Sequence, residues 1–390
     1  MRILVDENVP YGREAFGTLG EVVTAHGRAV CREMLADVDA LVVRSITKVN
    51  ADLLDGTPVR FVGTCTIGED HVDKAWLAAN GVAFSSAPGC NANSVGDYIT
   101  AALLTLEQRL GLDLSSMSLG VVGVGNVGTK VAAKASALGM TCVLNDPPRQ
   151  EREGGDTFRP LSDILACDII TFHVPLEKAG PHPTYHLCDK RLLSAMKPGV
   201  IVFNSSRGPV VDNAALKTAL AQGHVRAAVL DVWEGEPAPD LELVAAAAIA
   251  TPHIAGYSFD GKVNGTRQIY EALCRARGIL PEWDPAPLLP PPDCPELTVD
   301  PRVPGALFGA VSAVYDISAD DARMRGILGQ EGREAQAAWF DRLRKEYPRR
   351  REFFNTQVRM TAPDAGLAAK LAGIGFGLAS AGGTLGLASF

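Results

Sequence analysis

A glycine-rich segment, Gly123-Val124-Gly125-Asn126-Val127-Gly128, constrains the fold more than any other feature of this sequence. It follows an apolar run, Leu119–Gly123, that is typical of a buried strand, and it leads into a helical stretch from Val127 to Leu138. An acidic residue, Asp146, ends the next apolar run, 18 residues after Gly128. A strand, a glycine loop, a helix and an acid in this order predict a dinucleotide-binding βαβ unit.

Each position of the loop has an expected task. Gly123 permits the tight turn, Gly125 lets the backbone approach a pyrophosphate, and Gly128 allows the helix to pack closely on the strand. Asn126 and Val127 begin the helix, whose free N–H groups and positive dipole end face the phosphates.

The acid decides between the two nicotinamide cofactors. Asp146 is expected to accept hydrogen bonds from the adenosine ribose, and its charge repels a 2′-phosphate, which favours NAD over NADP. The alternative is a glycine-rich turn in an α/β protein that binds no nucleotide.

The rest of the chain alternates short apolar runs with helical stretches, which predicts parallel sheets covered by helices. The predicted strands are Ile3–Val5, Leu41–Val43, Phe61–Gly63, Val82–Phe84, Leu119–Gly123, Cys142–Asn145, Asp168–Phe172, Ile201–Asn204, Ala228–Leu230 and Ala247–Ala250. A helix is expected from about Ser94 to Leu110.

Six prolines between Pro281 and Pro292 interrupt this alternation, and we interpret residues 283–293 as a linker. Residues 294–378 then form a small α+β unit with two predicted strands and three predicted helices. A unit of this size with few apolar residues is marginally stable alone, so we expect it to dock on another surface, such as a second subunit. Residues 379–390 are rich in Gly, Ala and Ser, and we expect them to be disordered.

Composition excludes several classes of protein. The net charge of −8 argues against a nucleic-acid-binding surface. The sequence has no apolar run long enough for a membrane span, and it begins with a strand-like run rather than a signal peptide. Its eight cysteines lack C-x-x-C spacing, so we expect reduced thiols in a cytoplasmic enzyme and no metal site.

Polar residues follow the predicted strands, where ligands of parallel sheets bind. Before the predicted helix Ser94–Leu110, these residues are Arg44-Ser45 and Thr64-Cys65-Thr66. After that helix they are His173-Val174, Ser205-Ser206-Arg207, Asp231 and His253. Two sheets that face each other at these edges would enclose a cleft.

Three of the residues predict acid–base chemistry on a 2-hydroxy acid. His253 is a natural base for an alcohol proton near neutral pH, and Glu236 is expected to hydrogen-bond its ring. Arg207 is expected to bind a carboxylate with two parallel hydrogen bonds. Asp231 is expected to bind the carboxamide of the nicotinamide. The alternatives are that His253 is an ordinary core or surface histidine and that Glu236 is a solvated acid of a loop.

At this point the chain resembles a known family. Leu119–Gly128, Arg207, the loop Asp231–Pro237 and Pro252-His253 together are similar to the D-2-hydroxyacid dehydrogenases. Further segments, such as Arg2–Asn8, Arg44–Asn50 and Ala87–Asn91, resemble one branch of that family, which oxidises a phosphorylated 2-hydroxy acid.

The resemblance implies a Rossmann-type NAD domain (93–256), a discontinuous flavodoxin-like substrate domain (1–92 and 257–282) and a C-terminal dimerisation domain (294–378). It makes Arg207, Glu236 and His253 catalytic. The implied NAD contacts are Asp146, Val174, Ser205, Ser206, Arg207, Asp231 and Gly256, and the implied substrate contacts are Ser45, Thr66 and Tyr257. It also implies a homodimer and a 2-oxo acid that re-oxidises bound NADH.

The sequence departs from the family at Val174, where threonine is usual, so a contact there can use only the backbone. The phosphate site stays open, with Arg44 and the run Arg349–Arg351 as candidates. Two other functions stay open: a sister dehydrogenase for phosphoglycerate or glycerate, and a non-catalytic, NAD-sensing protein of the corepressor type.

Overall fold

The computed structural model describes residues 1–379, which fall into two compact units. The first unit contains Met1–Asn93 and Tyr257–Pro291, and the second contains Ser94–Gly256 and the chain from Pro292 onward. Apart from Ala379, the predicted disordered tail lies outside the described residues.

Strands and helices alternate through most of the chain. The strands are β1 (Arg2–Asp6), β2 (Glu21–Ala25), β3 (Ala40–Val43), β4 (Phe61–Thr64), β5 (Ala83–Ser85), β6 (Ser118–Val122), β7 (Thr141–Asn145), β8 (Ile169–Phe172), β9 (Val200–Asn204), β10 (Val225–Leu230), β11 (Ile249–Ala250), β12 (Glu296–Val299), β13 (Gln357–Met360) and β14 (Gly377–Leu378). The helices are α1 (Gly12–Phe16), α2 (Ala51–Leu54), α3 (Lys74–Ala79), α4 (Ala92–Leu110), α5 (Asn126–Ala137), α6 (Pro147–Glu153), α7 (Leu161–Ile164), α8 (Lys190–Ala195), α9 (Asn213–Ala221), α10 (Leu241–Ala246), α11 (Phe259–Arg277), α12 (Ala306–Val314), α13 (Ile317–Arg325), α14 (Arg333–Lys345) and α15 (Ala365–Ile374).

The first unit is built on a parallel sheet with the strand order β2-β1-β3-β4-β5, which is the flavodoxin-like order. Its central strands β3 and β4 are buried along their whole length, as strands with helices on both faces must be. Helix α11 returns to pack on β4, where Ile269 lies against Gly63.

The second unit has a parallel sheet with the order β11-β10-β9-β8-β6-β7. Strands β7 and β8 lie on opposite sides of β6, so the strand order reverses at the carboxyl end of β6. Ligands of open parallel sheets bind at such a reversal. The predicted fold class, a Rossmann-type unit with a flavodoxin-like unit, is confirmed.

The chain after Pro292 contributes a small parallel sheet, β12-β13-β14, and docks on the nucleotide-binding sheet of the same unit. Met324, Ile327 and Phe340 are fully buried in one hydrophobic cluster with Trp233 and Val244. The surface on which this C-terminal segment docks is therefore at least partly formed by residues of the same chain.

The predicted strands are present with shifts of up to three residues at their ends, whereas β2, β14, α11 and α13 were not predicted. Strand β2 lies at a sheet edge and is partly exposed, so it lacks a continuous apolar run. Across residues 1–379, no helix combines the length and apolarity needed to cross a bilayer.

Candidate active site

The glycine loop has the geometry that its spacing predicts. Gly123 follows β6 with φ of +85°, and a side chain there would place its Cβ 2.6 Å from the carbonyl oxygen of His173. A Cβ on Gly128 would lie 2.0 Å from the carbonyl oxygen of Gly123, so α5 packs on β6 without room for any side chain. Both positions require glycine for steric reasons.

Gly125 differs from its neighbours because a Cβ there would meet no protein atom within 4 Å. It is the N-cap of α5, no side chain caps the helix, and Asn126 and Val127 form its first turn. The space beside Gly125 is therefore open and no side chain caps the first N–H groups of the helix, as an anion-binding helix terminus requires. A dinucleotide pyrophosphate fits this cradle, which a side chain at Gly125 would begin to fill.

Asp146 holds the next βα turn together. Its carboxylate accepts hydrogen bonds from the N–H groups of Val124 (2.8 Å) and Arg149 (3.0 Å). Arg149 forms a bidentate pair with Glu153, at 2.8 Å for both contacts, which raises the pKa of the guanidinium and lowers the pKa of Glu153 to about 2. Because the positive charge of Arg149 is paired with Glu153, the charge that a bound ribose would meet here is the negative charge of Asp146.

The loops after β8 and β9 offer further polar atoms. The Ser205 hydroxyl is buried and has no hydrogen-bond partner among the described residues, which suits a bound polar ligand. Ser206 is tied back to Asn204 through its N–H and its hydroxyl. Val174 directs a methyl group toward the position where Gly123 lacks a Cβ (2.7 Å).

Arg207 ends the β9 loop, next to the loop that carries Glu236. It caps a short turn, Gly208–Val210, and one guanidinium nitrogen donates to the carbonyl of Ser206 (2.9 Å). A Cβ on Gly208 would lie 2.0 Å from the carbonyl oxygen of Trp233. The backbone at Gly208, after Arg207, therefore contacts the backbone of Trp233, in the loop that carries Glu236. Glycine at position 208 permits this close approach of the two loops.

Glu236 and His253 form a direct pair. Oε2 of Glu236 lies 2.8 Å from Nδ1 of His253, and Oε1 accepts a hydrogen bond from the N–H of Trp233 (2.8 Å). Burial raises the pKa of Glu236, but the charge and hydrogen bond of His253 and the Trp233 bond outweigh it, so the pKa is lowered overall. An ionised Glu236 holds the Nδ1 proton of His253 and leaves Nε2 to exchange protons with a substrate.

Asp231 shapes the segment that carries His253. Its carboxylate accepts hydrogen bonds from the Thr251 hydroxyl (2.6 Å), the Ile254 N–H (2.7 Å) and the Ala255 N–H (2.9 Å). His253 itself has φ of +59°, a conformation that a non-glycine residue adopts only when its surroundings enforce it. Asp231 is therefore a positioning group, in addition to the nicotinamide contact predicted for it.

The other histidines of the second unit are less suited to proton transfer. Burial lowers the pKa of His173 to about 3, so its ring stays neutral at physiological pH. His186 is as exposed as His253 and pairs with Glu234 (2.7 Å), but through Nε2, and His182 and His224 also use Nε2 for their contacts. His253 instead pairs through Nδ1, and it follows β11 beside Asp231 at the end of the neighbouring strand β10.

The predicted substrate residues Ser45, Thr66 and Tyr257 belong to the first unit. Ser45 is exposed just after β3, and Thr66 follows the adjacent strand β4, where its hydroxyl donates to the carbonyl of Gly68 (3.0 Å). Tyr257 precedes α11, and the Lys262 ammonium lies 4.7 Å from its ring centre. Ser45 and Thr66 therefore lie at the same sheet edge.

Sequence reasoning missed several residues that organise the site. The backbone N–H of Trp233 donates to Glu236, and its indole N–H donates to the carbonyl of Thr251. Arg350 donates to the carbonyl of Ala255. Trp233 lay inside the loop that was singled out and could have been found there. Arg350 was noted only as part of the run Arg349–Arg351, a candidate phosphate site, and its contact with Ala255 was not predicted because it joins positions 95 residues apart.

The chain has close relatives among known proteins. It is 47% identical over 378 residues to the protein named erythronate-4-phosphate dehydrogenase of Escherichia coli O17:K52:H18 (strain UMN026 / ExPEC), an alignment that covers 96% of this chain and 98% of that one. The protein of the same name from Shigella flexneri matches with the same identity and coverage. Residues 97–255 match the family described as D-isomer specific 2-hydroxyacid dehydrogenase, NAD binding domain, and residues 288–375 match a domain of unknown function (DUF3410).

Solved structures share the fold of most of the chain. D-lactate dehydrogenase from Aquifex aeolicus, complexed with NAD and lactic acid, is 25% identical with a TM-score of 0.59, covering 71% of this chain and 96% of that one. An NADPH-dependent glyoxylate/hydroxypyruvate reductase from Sinorhizobium meliloti, in complex with NADP and malonate, is 27% identical with a TM-score of 0.58, covering 70% and 92%.

Proposed function

Since this chain belongs to the erythronate-4-phosphate dehydrogenases, within the D-isomer specific 2-hydroxyacid dehydrogenase family, we propose that it oxidises 4-phospho-D-erythronate at C2 with NAD. The family resemblance and the NAD cofactor predicted from the sequence are confirmed. The product is (R)-3-hydroxy-2-oxo-4-phosphonooxybutanoate, in a step of pyridoxal 5′-phosphate biosynthesis. The observation that carries the mechanism is the 2.8 Å contact between Glu236 and His253.

The reaction removes a hydride from C2 and a proton from the C2 hydroxyl. NAD, when bound, supplies the hydride acceptor. Nε2 of His253 takes the hydroxyl proton, and the ionised Glu236 stabilises the resulting imidazolium through Nδ1. Arg207 binds the substrate carboxylate, because its planar fork matches two carboxylate oxygens and fixes which face of C2 is presented.

The cofactor contacts follow from the cradle. Gly125, Asn126 and Val127 would hold the pyrophosphate, Asp146 would bind the adenosine ribose, and Ser205 and Asp231 would hold the nicotinamide end. The buried, unpartnered hydroxyl of Ser205 and the open space over Gly125 support this placement. The remaining contacts of the predicted set, at Val174, Ser206 and Gly256, use backbone atoms or small side chains.

The substrate phosphate is assigned to the first unit, with Ser45, Thr66 and Tyr257 supplying hydroxyls. A phosphate dianion also favours an arginine. Arg350 and Arg351 are buried and bind groups within the second unit, so the Arg349–Arg351 run offers only Arg349 at its surface. The candidates are then Arg44, directly before Ser45, and Arg349 reaching across a dimer.

We also propose a cytoplasmic homodimer that associates through residues 294–378 and re-oxidises bound NADH with a 2-oxo acid. The segment exposes the apolar residues Val303 and Phe354, which supports an interface there. All eight cysteines lie among the described residues and none forms a disulfide bond, which fits a reducing compartment.

The test is turnover of 4-phospho-D-erythronate against 3-phosphoglycerate and glycerate, followed by NADH absorbance with and without an added 2-oxo acid. We expect the first substrate to be preferred by about 10²-fold or more in kcat/KM. Glycerate leaves the phosphate site unpaired, and 3-phosphoglycerate is one carbon too short to place its carboxylate on Arg207 and its phosphate in that site together. Preference for 3-phosphoglycerate or glycerate would identify the sister dehydrogenase. If NAD-loaded protein turns over none of the three substrates, the remaining function is that of a non-catalytic, NAD-sensing protein.

His253→Ala tests the proton carrier in the same assay. We expect turnover to fall about 10²- to 10⁴-fold, with NAD affinity nearly unchanged because the cofactor is held by the glycine loop and Asp146. His26→Ala, at an exposed histidine of the first unit, is the control and should behave as the unmodified protein. Loss of NAD binding in His253→Ala would mean that the residue is structural.

A further inference from the structure

Arg350 is a buried arginine of the chain after Pro292, and it makes contacts far from its own segment. Its guanidinium carbon lies 4.2 Å from the ring centre of Tyr315. One nitrogen, Nη2, donates to the carbonyl of Ala255 (2.6 Å), the carbonyl of Ser94 (3.5 Å) and the hydroxyl of Ser94. The Ser94 hydroxyl also donates to the carbonyl of Ala255 (2.8 Å).

Both acceptor residues lie where the chain passes from one compact unit to the other. Ser94 is the first residue of the second unit after the first crossing, and Gly256, next to Ala255, is the last before the second crossing. A single guanidinium group therefore joins two of the three segments at which the chain crosses between the units, on the side of the second unit.

The same contact reaches the segment that carries His253. The N–H of Ala255 donates to Asp231 and its carbonyl accepts from Arg350, so the peptide groups on both sides of Ala255 are held. The His253 N–H donates to the carbonyl of Asp231 (2.7 Å). A residue with φ of +59° keeps that conformation only if neighbouring peptides are fixed.

We propose that Arg350 is a positioning residue for the reaction: by holding Ala255 and Ser94 together, it keeps the His253 ring aligned with Glu236 and the substrate hydroxyl. This rests on the proposed role of His253 as proton carrier. It gives the C-terminal segment, which matches a domain of unknown function, a part in catalysis in addition to subunit association.

Arginine suits this task for a physical reason. Its charge strengthens hydrogen bonds to neutral carbonyl groups, and its flat group stacks on Tyr315, whose hydroxyl is itself fixed by the buried Asp320 (2.9 Å). A lysine at the same place supplies the charge but neither the stacking nor the planar geometry.

The experiment compares Arg350→Met, Arg350→Lys and the control Arg359→Met, which alters an exposed arginine of β13. We expect Arg350→Met to lower the single-turnover rate constant of NAD reduction about 10- to 100-fold, as small misplacements of catalytic groups do. The isotope effect of deuterium at C2 on kcat should rise, because the chemical step becomes slower. NAD affinity should stay within about threefold, Arg350→Lys should recover part of the rate, and Arg359→Met should match the unmodified protein.

Amide hydrogen exchange supplies a readout that is independent of turnover. The N–H groups of Ile254 and Ala255 should exchange faster in Arg350→Met than in the unmodified protein. An unchanged rate constant, isotope effect and exchange would overturn the inference, and so would a lower number of active sites with an unchanged rate constant. Failure of the unmodified protein to oxidise the substrate, with faster exchange in the variant, would instead count against the proposed function alone.

Discussion

At the scale of single residues, the proposed reacting group consists of a histidine in an unusual backbone conformation and an acid that binds its ring. Glu236 and His253 are 17 residues apart in sequence, and each lies in a loop that follows a parallel strand. Their types, their positions after strands and their hydrogen bond were predicted from the sequence. The φ of +59° at His253 was not, because it depends on how Asp231 binds the loop that follows His253.

Glu236→Gln tests the acid. An amide offers only one oxygen, so either the Trp233 N–H or His253 Nδ1–H must face an NH₂ group. We expect kcat to fall about 10²-fold or more at neutral pH, with a smaller effect on NAD affinity. Retention of turnover within twofold would show that the pair does not orient the histidine.

The same variant has a defined pH dependence of stability. The pKa of Glu236 is lowered in the folded protein, so its ionised form stabilises the fold above the ordinary value of 4.5. That stabilisation is lost as the pH falls through the lower folded value. The difference in melting temperature between the unmodified protein and Glu236→Gln should therefore be largest near pH 7 and shrink below about pH 4.5, and a difference that grows toward acid pH would contradict the assignment.

At the scale of elements, a buried ion pair fastens the nucleotide-binding helix to its neighbours. Lys134 of α5 lies 2.8 Å from Asp97 of α4, donates to the carbonyl of Ile374 at the end of α15, and lies over the ring of Phe353. Asp97 also accepts from the N–H of Phe353 (3.1 Å). The helix that presents the glycine loop is thus fixed on its far side by the C-terminal segment.

Lys134→Met leaves Asp97 as an unpaired buried charge, which should lower the free energy of unfolding by about 3–5 kcal/mol. The double variant Asp97→Asn/Lys134→Met removes the charge but keeps an acceptor for the Phe353 N–H, so we expect it to be more stable than the single variant. Thermal unfolding monitored by calorimetry measures both. Equal melting temperatures for the single variant and the unmodified protein would rule out this role for the pair.

The helix α11 shows why some elements were not predicted. It contains Gly261 and Gly265, which disfavour a helix on intrinsic propensity. A Cβ on Gly265 would lie 2.8 Å from the carbonyl oxygen of Cys65, and one on Gly261 would lie 2.9 Å from Asn91. Close packing within the first unit therefore requires the glycines that weaken the local signal.

At the scale of the whole molecule, the C-terminal segment is not an independent body within the described residues. Its Met324 and Phe340 complete a core around Trp233, and Arg350 reaches the His253 loop. Dimerisation through this segment remains a prediction, although an exposed apolar residue such as Phe354, at 47% exposure, is available for it.

Light scattering coupled to size-exclusion chromatography tests the dimer. We expect a mass of twice the chain mass of 41.2 kDa, and a melting temperature that rises with protein concentration. Phe354→Glu should shift the mass toward the monomer, because it places a charge in the proposed interface. Leu280→Glu, at an 83% exposed residue of the first unit, serves as the control and should remain dimeric. A monomer mass for the unmodified protein would exclude the proposal.

The sequence by itself determined the α/β class, the glycine loop, the acid at Asp146 and the identities of Arg207, Glu236 and His253, because these depend on local periodicity and on residues a few positions apart. The tertiary structure alone decided that Asp231 binds the N–H groups of Ile254 and Ala255, that Gly208 brings the Arg207 loop against Trp233, and that Arg350 holds Ala255. These contacts join positions that are distant in the chain, and no local pattern of hydrophobicity or charge records which distant groups a fold brings within hydrogen-bond distance.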